Sequence, residues 1–178
     1  MQDALWITAA LFFAGLAGAG AIIMASRLRT LFFGGAPFVV SAKATIARAF
    51  AVAGLGPEDR IADLGSGDGL VLTEAIKAGA KHATGFEIDP ILVWTAGQVV
   101  RRKMLDDKIS IIHKNFWDAD VSSFDIIFLF QIPYAMKRLE EKLRNECKPG
   151  CRIVSNSFAF PHWKPERIDG QLFLYRKD

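Results

Sequence analysis

Cysteine is scarce. The chain of 178 residues has two, Cys147 and Cys151, close together in "CKPGC". Two thiols make no disulfide framework, and no second pair completes the ligand set of a structural zinc site, so no metal is expected and a reducing compartment is the simpler setting. One cysteine is read as a helix end and the other as a strand residue. Long runs of one charge are also missing. The formal net charge is only +3, with the basic residues scattered, so nothing asks for a nucleic-acid partner. The densest basic group, Arg101, Arg102 and Lys103, is expected to close a helix at its negative end. Internal repeats are absent, and the length leaves room for one ordinary domain.

One stretch has no charge at all. From Ala4 to Ser26 the residues are apolar or small, and at about 1.5 Å per residue they match the roughly 30 Å hydrocarbon core of a bilayer. The run is read as one N-terminal transmembrane helix. A cleaved signal peptide fits less well, because Asp3 stands where a basic leader belongs and the apolar part exceeds the usual span of about 7–15 residues. Arg27, Arg29, Lys43 and Arg48 follow the run. The positive-inside rule then expects a single-pass membrane protein with the remainder in the cytoplasm, in a prokaryotic inner membrane before an organellar one. The chain divides accordingly into an anchor at 1–29 and a domain at 30–178.

The domain alternates strand and helix patterns. Ser41 is expected to cap a helix that buries Ile46, Phe50 and Ala53 and stops at "GLGP". There follow strand "RIADL", helix "LVLTEAIKA", strand "HATGFEI", helix "PILVWTAGQVVRRKML", strands "KISIIH" and "FDIIFLF", helix "YAMKRLEEKLRNE", strand "CRIVSNSF" and a last strand in "GQLFLYRKD". Short apolar runs separated by helical patterns predict an α/β fold with a mostly parallel sheet covered on both faces. On the helix after Pro133, Met136, Leu139, Leu143 and Cys147 share a stripe, and Glu140 pairs with Arg144 at i,i+4.

The turn after the first strand, "DLGSGDGL", is where an open parallel sheet binds ligands. Gly65, Gly67 and Gly69, with Ser66 and Asp68 between them, allow close backbone approach, and a helix N-terminus with free N–H groups is expected beside them. A dinucleotide fingerprint would want a sixth-position glycine where this chain has Leu70. Asp63, two residues before the first glycine, would repel a pyrophosphate and attract a cationic amino-acid moiety. S-adenosylmethionine (SAM) carries an ammonium group and no phosphate, which makes it the expected cofactor ahead of NAD. Glu87 ends the second strand in "GFEIDP", where a carboxylate can accept both ribose hydroxyls, with Ile88 next to it. Adenine is then expected at the end of the third strand, with Asn115 on its amine and Phe116 or Trp117 over its ring.

With "DLGSGDG", "GFEIDPILVW", "NFWDAD", "LFQIPYAMKRLEEKL" and "KPGCRIVSNSFAFPHWKP", the chain from about Phe38 onward resembles the membrane-anchored class I methyltransferases. That group includes the lysine methyltransferases of the ATP synthase c subunit and of the adenine nucleotide translocase. The elements Pro133-x-x-Met136 and Pro161-x-Trp163-x-Pro165 are its narrower marks. Two positions depart from the pattern: Val40 replaces a proline in "PFVV", and Asn115 stands where an acid is usual. The resemblance implies a Rossmann-like class I SAM-dependent methyltransferase, acting on lysine of a membrane-associated protein. A lipid or quinone acceptor would share every SAM motif, and an NAD-dependent oxidoreductase is the remote alternative. "QIPY" resembles the Asn-Pro-Pro-Tyr loop of amino-group methyltransferases, which makes Gln131, Pro133 and Tyr134 the candidate catalytic residues, Gln131 orienting the nitrogen and Tyr134 walling the methyl site.

Overall fold

The computed structural model describes residues 6–7, 12–15, 17–18, 20 and 41–178. The expected transmembrane segment and the boundary at 29/30 lie largely outside the described residues, among which no helix is long and apolar enough to cross a membrane. The chain divides into Met1–Pro37 and Phe38–Asp178, and the second unit carries the α/β domain.

Its elements are α1 (Lys43–Ala53), β1 (Arg60–Leu64), α2 (Leu70–Lys77), β2 (His82–Glu87), α3 (Pro90–Arg102), β3 (Ile109–His113), a 3₁₀ turn at Phe116–Asp118, β4 (Ile126–Leu129), α4 (Pro133–Glu146), β5 (Arg152–Asn156), β6 (Arg167–Asp169) and β7 (Leu172–Arg176). The strands form one sheet in the order β3-β2-β1-β4-β5-β7-β6. The first five are parallel, and β7 enters antiparallel between β5 and β6.

The two-residue period of the strands sorts side chains between two cores. Ile61, Ile126 and Phe128 face Ile46, Phe50, Leu72 and Val100 of α1, α2 and α3. Ala62, Leu64, Ile127 and Leu129 face Leu139 and Leu143 of α4. The Met136–Leu139–Leu143–Cys147 stripe is buried as the spacing predicts, and both thiols are free and buried. Arg101 and Arg102 occupy the last turn of α3.

Three details differ from the sequence expectation. Ala42, not Ser41, is the N-cap of α1, and no side chain caps it; Ser41 is instead buried. α3 ends at Arg102, before "KML", because the chain turns through Met104 at φ 52°. Strand β6 pairs with β7 through a tight turn at Gly170, whose φ of 61° suits glycine. The "DG" at Asp169-Gly170 was its signal in the sequence.

The late proline–tryptophan element braces the domain. Trp163 packs near Phe160 and Tyr175, and the Arg144 guanidinium lies over its ring at 4.7 Å. Glu140, buried on α4, accepts from the His162 backbone N–H at 2.8 Å and from Arg144 at 3.2 Å. The Tyr175 hydroxyl accepts from the Phe160 N–H at 2.9 Å.

Candidate active site

Strands β1 and β4 are neighbours whose following helices leave to opposite faces, so their carboxyl ends open a crevice at the topological switch point. Asp63 reaches it from β1, beside Gly85 of β2 and Phe128 of β4 in the register. Its side chain is 3 % exposed and takes no hydrogen bond among the described residues. Burial pushes its carboxyl well above the usual range, and the neighbouring charges of Glu87 and Asp68 push in the same direction. A buried acid held next to two others is a costly arrangement that a cationic ligand relieves.

The glycine loop itself is closed upon protein groups. The N–H groups of Gly65 and Ser66 both donate to Phe86 O, at 2.9 and 3.2 Å, and Gly69 N donates to Ser66 O at 2.9 Å. Gly67 N donates to Glu87 Oε2 at 2.9 Å, and Leu70 N to Asp68 Oδ1 at 3.1 Å. The free amides expected from the sequence are therefore mostly spent internally. A phosphate cradle needs such N–H groups unpaired, whereas a ligand without phosphate does not.

Glu87 shows a related refinement. Its Oε1 accepts from Ile88 N and Asp89 N, both at 2.8 Å, in addition to the Gly67 bond on Oε2. A carboxylate has about four acceptor positions, so about one remains for a ribose hydroxyl where the sequence reading assigned it two. Asp89 in turn caps α3 through Ile91 N at 2.8 Å, which fixes the loop after β2.

Gln131, just past β4, crosses to the other strand. Its Nε2 donates to Leu64 O at 2.7 Å, and its Oε1 is buried without a partner among the described residues. The Leu64 carbonyl sets the orientation of the amide, because a flipped side chain would oppose two oxygens. Gly65 has φ 91°, and a Cβ there would lie 2.8 Å from Gln131 Nε2. Pro133 opens α4 at a position that needs no N–H, and Tyr134 follows with 66 % of its surface exposed. The structure thus brings Gln131 against the glycine loop and leaves Tyr134 at the open rim.

Of the adenine candidates, Asn115 caps the 3₁₀ turn, its Oδ1 accepting from Trp117 N at 3.1 Å. Phe116 is buried in the core under α4, while Trp117 is half-buried with Arg138 over its ring at 4.2 Å. Sequence reasoning did not single out Gly85. A Cβ there would meet Ser66 Oγ at 2.4 Å, Ser66 Cβ at 2.6 Å and Leu72 Cδ1 at 2.7 Å, so this strand glycine seats the loop. A glycine in the middle of an apolar strand was the available signal. Gly85→Ala is expected to destabilise the domain by ~1–3 kcal/mol, read by chemical denaturation, and to weaken SAM binding through the displaced Ser66.

An open α/β sheet in this strand order, with an acid-lined crevice and glycine turn in place of a phosphate cradle, defines a Rossmann-like class I methyltransferase that uses SAM. The chain belongs to the ANTKMT methyltransferase domain family, whose pattern matches residues 63–167. It is 32 % identical over 111 residues to the lysine N-methyltransferase of the ATP synthase c subunit from Rattus norvegicus, covering 62 % of this chain and 51 % of that protein. It is 29 % identical over 133 residues to a protein-lysine N-methyltransferase of Saccharolobus islandicus, covering 74 % and 83 %. Among solved structures it is similar to an RNA methyltransferase from Salinibacter ruber in complex with S-adenosyl-L-homocysteine, with a TM-score of 0.73, 30 % identity and coverage of 78 % and 92 %. The chain spans about half the length of the rat and human ATP synthase-directed enzymes, 51 % and 47 %.

The residues fit SAM. Asp63, buried and without a hydrogen bond among the described residues, would face a cationic group, Glu87 would offer an acceptor to ribose, and the positive-φ glycines would allow the close backbone approach. When bound, SAM supplies an electrophilic methyl carbon on a sulfonium.

Proposed function

We propose that this chain is a protein-lysine N-methyltransferase held at a membrane and acting on a protein in or at that membrane. One observation carries the reading: Gln131 Oε1 is a buried acceptor without a partner among the described residues, at the end of β4 and fixed in place by the bond of its own Nε2 to Leu64 O. An amine nucleophile needs one N–H held so that its lone pair points along the line of displacement, and a fixed amide oxygen does this without taking part in covalent chemistry. A lysine ammonium must first lose its proton, and a low-dielectric crevice lowers its pKa from about 10.4 in the required direction. The named activities of the rat and Saccharolobus relatives favour lysine as the acceptor. The uncharged run from Ala4 to Ser26, followed by Arg27 and Arg29, supports a single transmembrane anchor with the domain in the cytoplasm of a prokaryotic cell. Tethering would raise the local concentration of a membrane target with no added contact in the site.

Purified chain incubated with methyl-labelled SAM and a membrane fraction is expected to label protein, with methyllysine recovered after acid hydrolysis. Label that moves instead with the organic extract would replace this reading with a lipid or quinone acceptor. Label lost on ribonuclease treatment would replace it with an RNA acceptor, the substrate class named for the Salinibacter protein.

A further inference from the structure

Helix α3 is the least covered helix around the site. Of its thirteen residues only Ala96 and Val100 are buried. Ile91 is 39 % exposed and Trp94 64 %, and they lie three residues apart on one side of the helix. The neighbouring strand β3 is the edge of the sheet, and its Ile109 and Ile111 turn toward this helix, whereas Ile112, in register with Phe86, turns to the other face. Between helix and strand runs an open groove of about 340 Å³, lined by Val93, Trp94, Gly97, Val100, Ile109 and Ile111, with Arg101 and Asp106 at its margin.

The charge around this apolar strip is one-sided. Residues 90–114 hold Arg101, Arg102, Lys103, Lys108 and Lys114 against Asp106 and Asp107. All five cations are exposed, and none has a carboxylate within 4.0 Å among the described residues. Cations elsewhere are paired far more often: Arg48, Lys77, Lys81, Lys142, Arg144, Lys148, Arg152 and Arg176 each meet an acid. Exposed tryptophan and isoleucine beside unpaired lysine and arginine is the composition of a surface that sits at an anionic lipid interface, the rings among headgroups and the cations on phosphates.

We infer that the α3–β3 face is a second membrane contact of this chain, docking on the surface of an anionic phospholipid bilayer. The inference rests on the membrane-target reading and adds an orientation to it. Ile91 and Trp94 stand in the first two turns after Glu87 and Asp89, the loop that closes the proposed donor site. Contact through these residues sets the rim of the crevice against the bilayer, where a target lysine at the membrane surface can enter.

The test is hydrogen–deuterium exchange on the full chain in lipid nanodiscs, one set of phosphatidylcholine alone and one with about a third phosphatidylglycerol. Peptides covering Pro90–Arg102 and Ile109–His113 are expected to exchange about threefold or more slowly on the anionic discs, with the difference removed by ~0.5 M salt. The same protection is expected to vanish in Trp94→Ser with Arg101→Glu, while SAM still raises that variant's melting temperature and so reports an intact fold. A chain that stays with the discs and exchanges equally on both lipids overturns the inference and leaves the membrane-target reading standing. A chain that leaves the discs altogether ends both. Protection that needs an added membrane protein, or that arises without lipid on self-association, overturns it in favour of a protein partner or a second copy.

Discussion

Asp63→Asn is expected to raise the melting temperature of the ligand-free protein and to remove most of its response to SAM. The wild-type carboxyl is buried without a partner among the described residues, and desolvation, followed by Glu87 and Asp68, lifts its pKa far above 3.8. The folded state therefore binds this proton more tightly than the unfolded chain does. Stability from this group is fully present below the unfolded value and is lost as pH climbs through the raised folded value. At pH above that window the ionised acid is a net cost, and the amide removes it. Each kcal/mol so recovered corresponds to about 2–4 °C in a chain of this length. Binding moves the other way. A hydrogen bond to a charged partner contributes ~1.5–3 kcal/mol, so SAM affinity should fall by roughly ten- to a hundredfold. Thermal unfolding with and without SAM, followed by titration calorimetry, reads both effects. A variant that is less stable than wild type yet shifts normally with SAM would remove Asp63 from the donor site. A corollary concerns protons: SAM binding below the raised pKa should release one, which calorimetry in buffers of different ionisation enthalpy detects.

Much of this arrangement was legible in the sequence, for reasons that can be traced to single residues. Asp63 at the end of "RIADL" and Glu87 at the end of "HATGFE" were recognisable because strand ends in a parallel sheet face one edge, and both strands form with the expected ends or within one residue of them. Met136, Leu139, Leu143 and Cys147 were recognisable because a 3.6-residue period leaves a stripe that must be buried. What the sequence did not disclose depends on distance in space. That Glu87 spends an acceptor position on Gly67 of the glycine loop, beside two on its own loop, follows from how β1 and β2 register, Asp63 opposite Gly85, which no local pattern states. Gly85 itself looked like an ordinary strand residue until Ser66 was seen to lie where its side chain would be. The late Pro161–Trp163–Pro165 element reads as a motif and turns out to be a brace, because Glu140 and Arg144 on α4 hold the backbone of His162 from either side. Ser41 failed as a cap for a similar reason: burial claimed it, and the cap position moved to Ala42.

Gln131→Ala is expected to lower kcat by about a hundredfold while the affinity for SAM stays within about threefold, the size of loss that follows when a reacting group is misplaced by about an ångström. The prediction follows from the division of labour within one side chain. Nε2 is committed to Leu64 O at 2.7 Å, which ties the carboxyl end of β4 to that of β1. That bond contributes ~1 kcal/mol, so the alanine variant should also lose a little stability. Oε1 makes no hydrogen bond among the described residues, and a buried acceptor left unmade costs free energy that a bound donor returns. An attacking amine is such a donor, and SAM need not be one. Steady-state kinetics with the methyl acceptor, alongside SAM titration, separates the two roles. Gln131→Met keeps the length and apolar stem and discards both polar atoms, so it should match the alanine variant in kcat despite better packing. If either variant keeps a near-normal kcat while losing melting temperature, Gln131 is a strut between β1 and β4, and the orienting group must be sought elsewhere on the rim. If kcat collapses with SAM affinity intact, the free amide oxygen is what holds the incoming nitrogen in line with the methyl carbon.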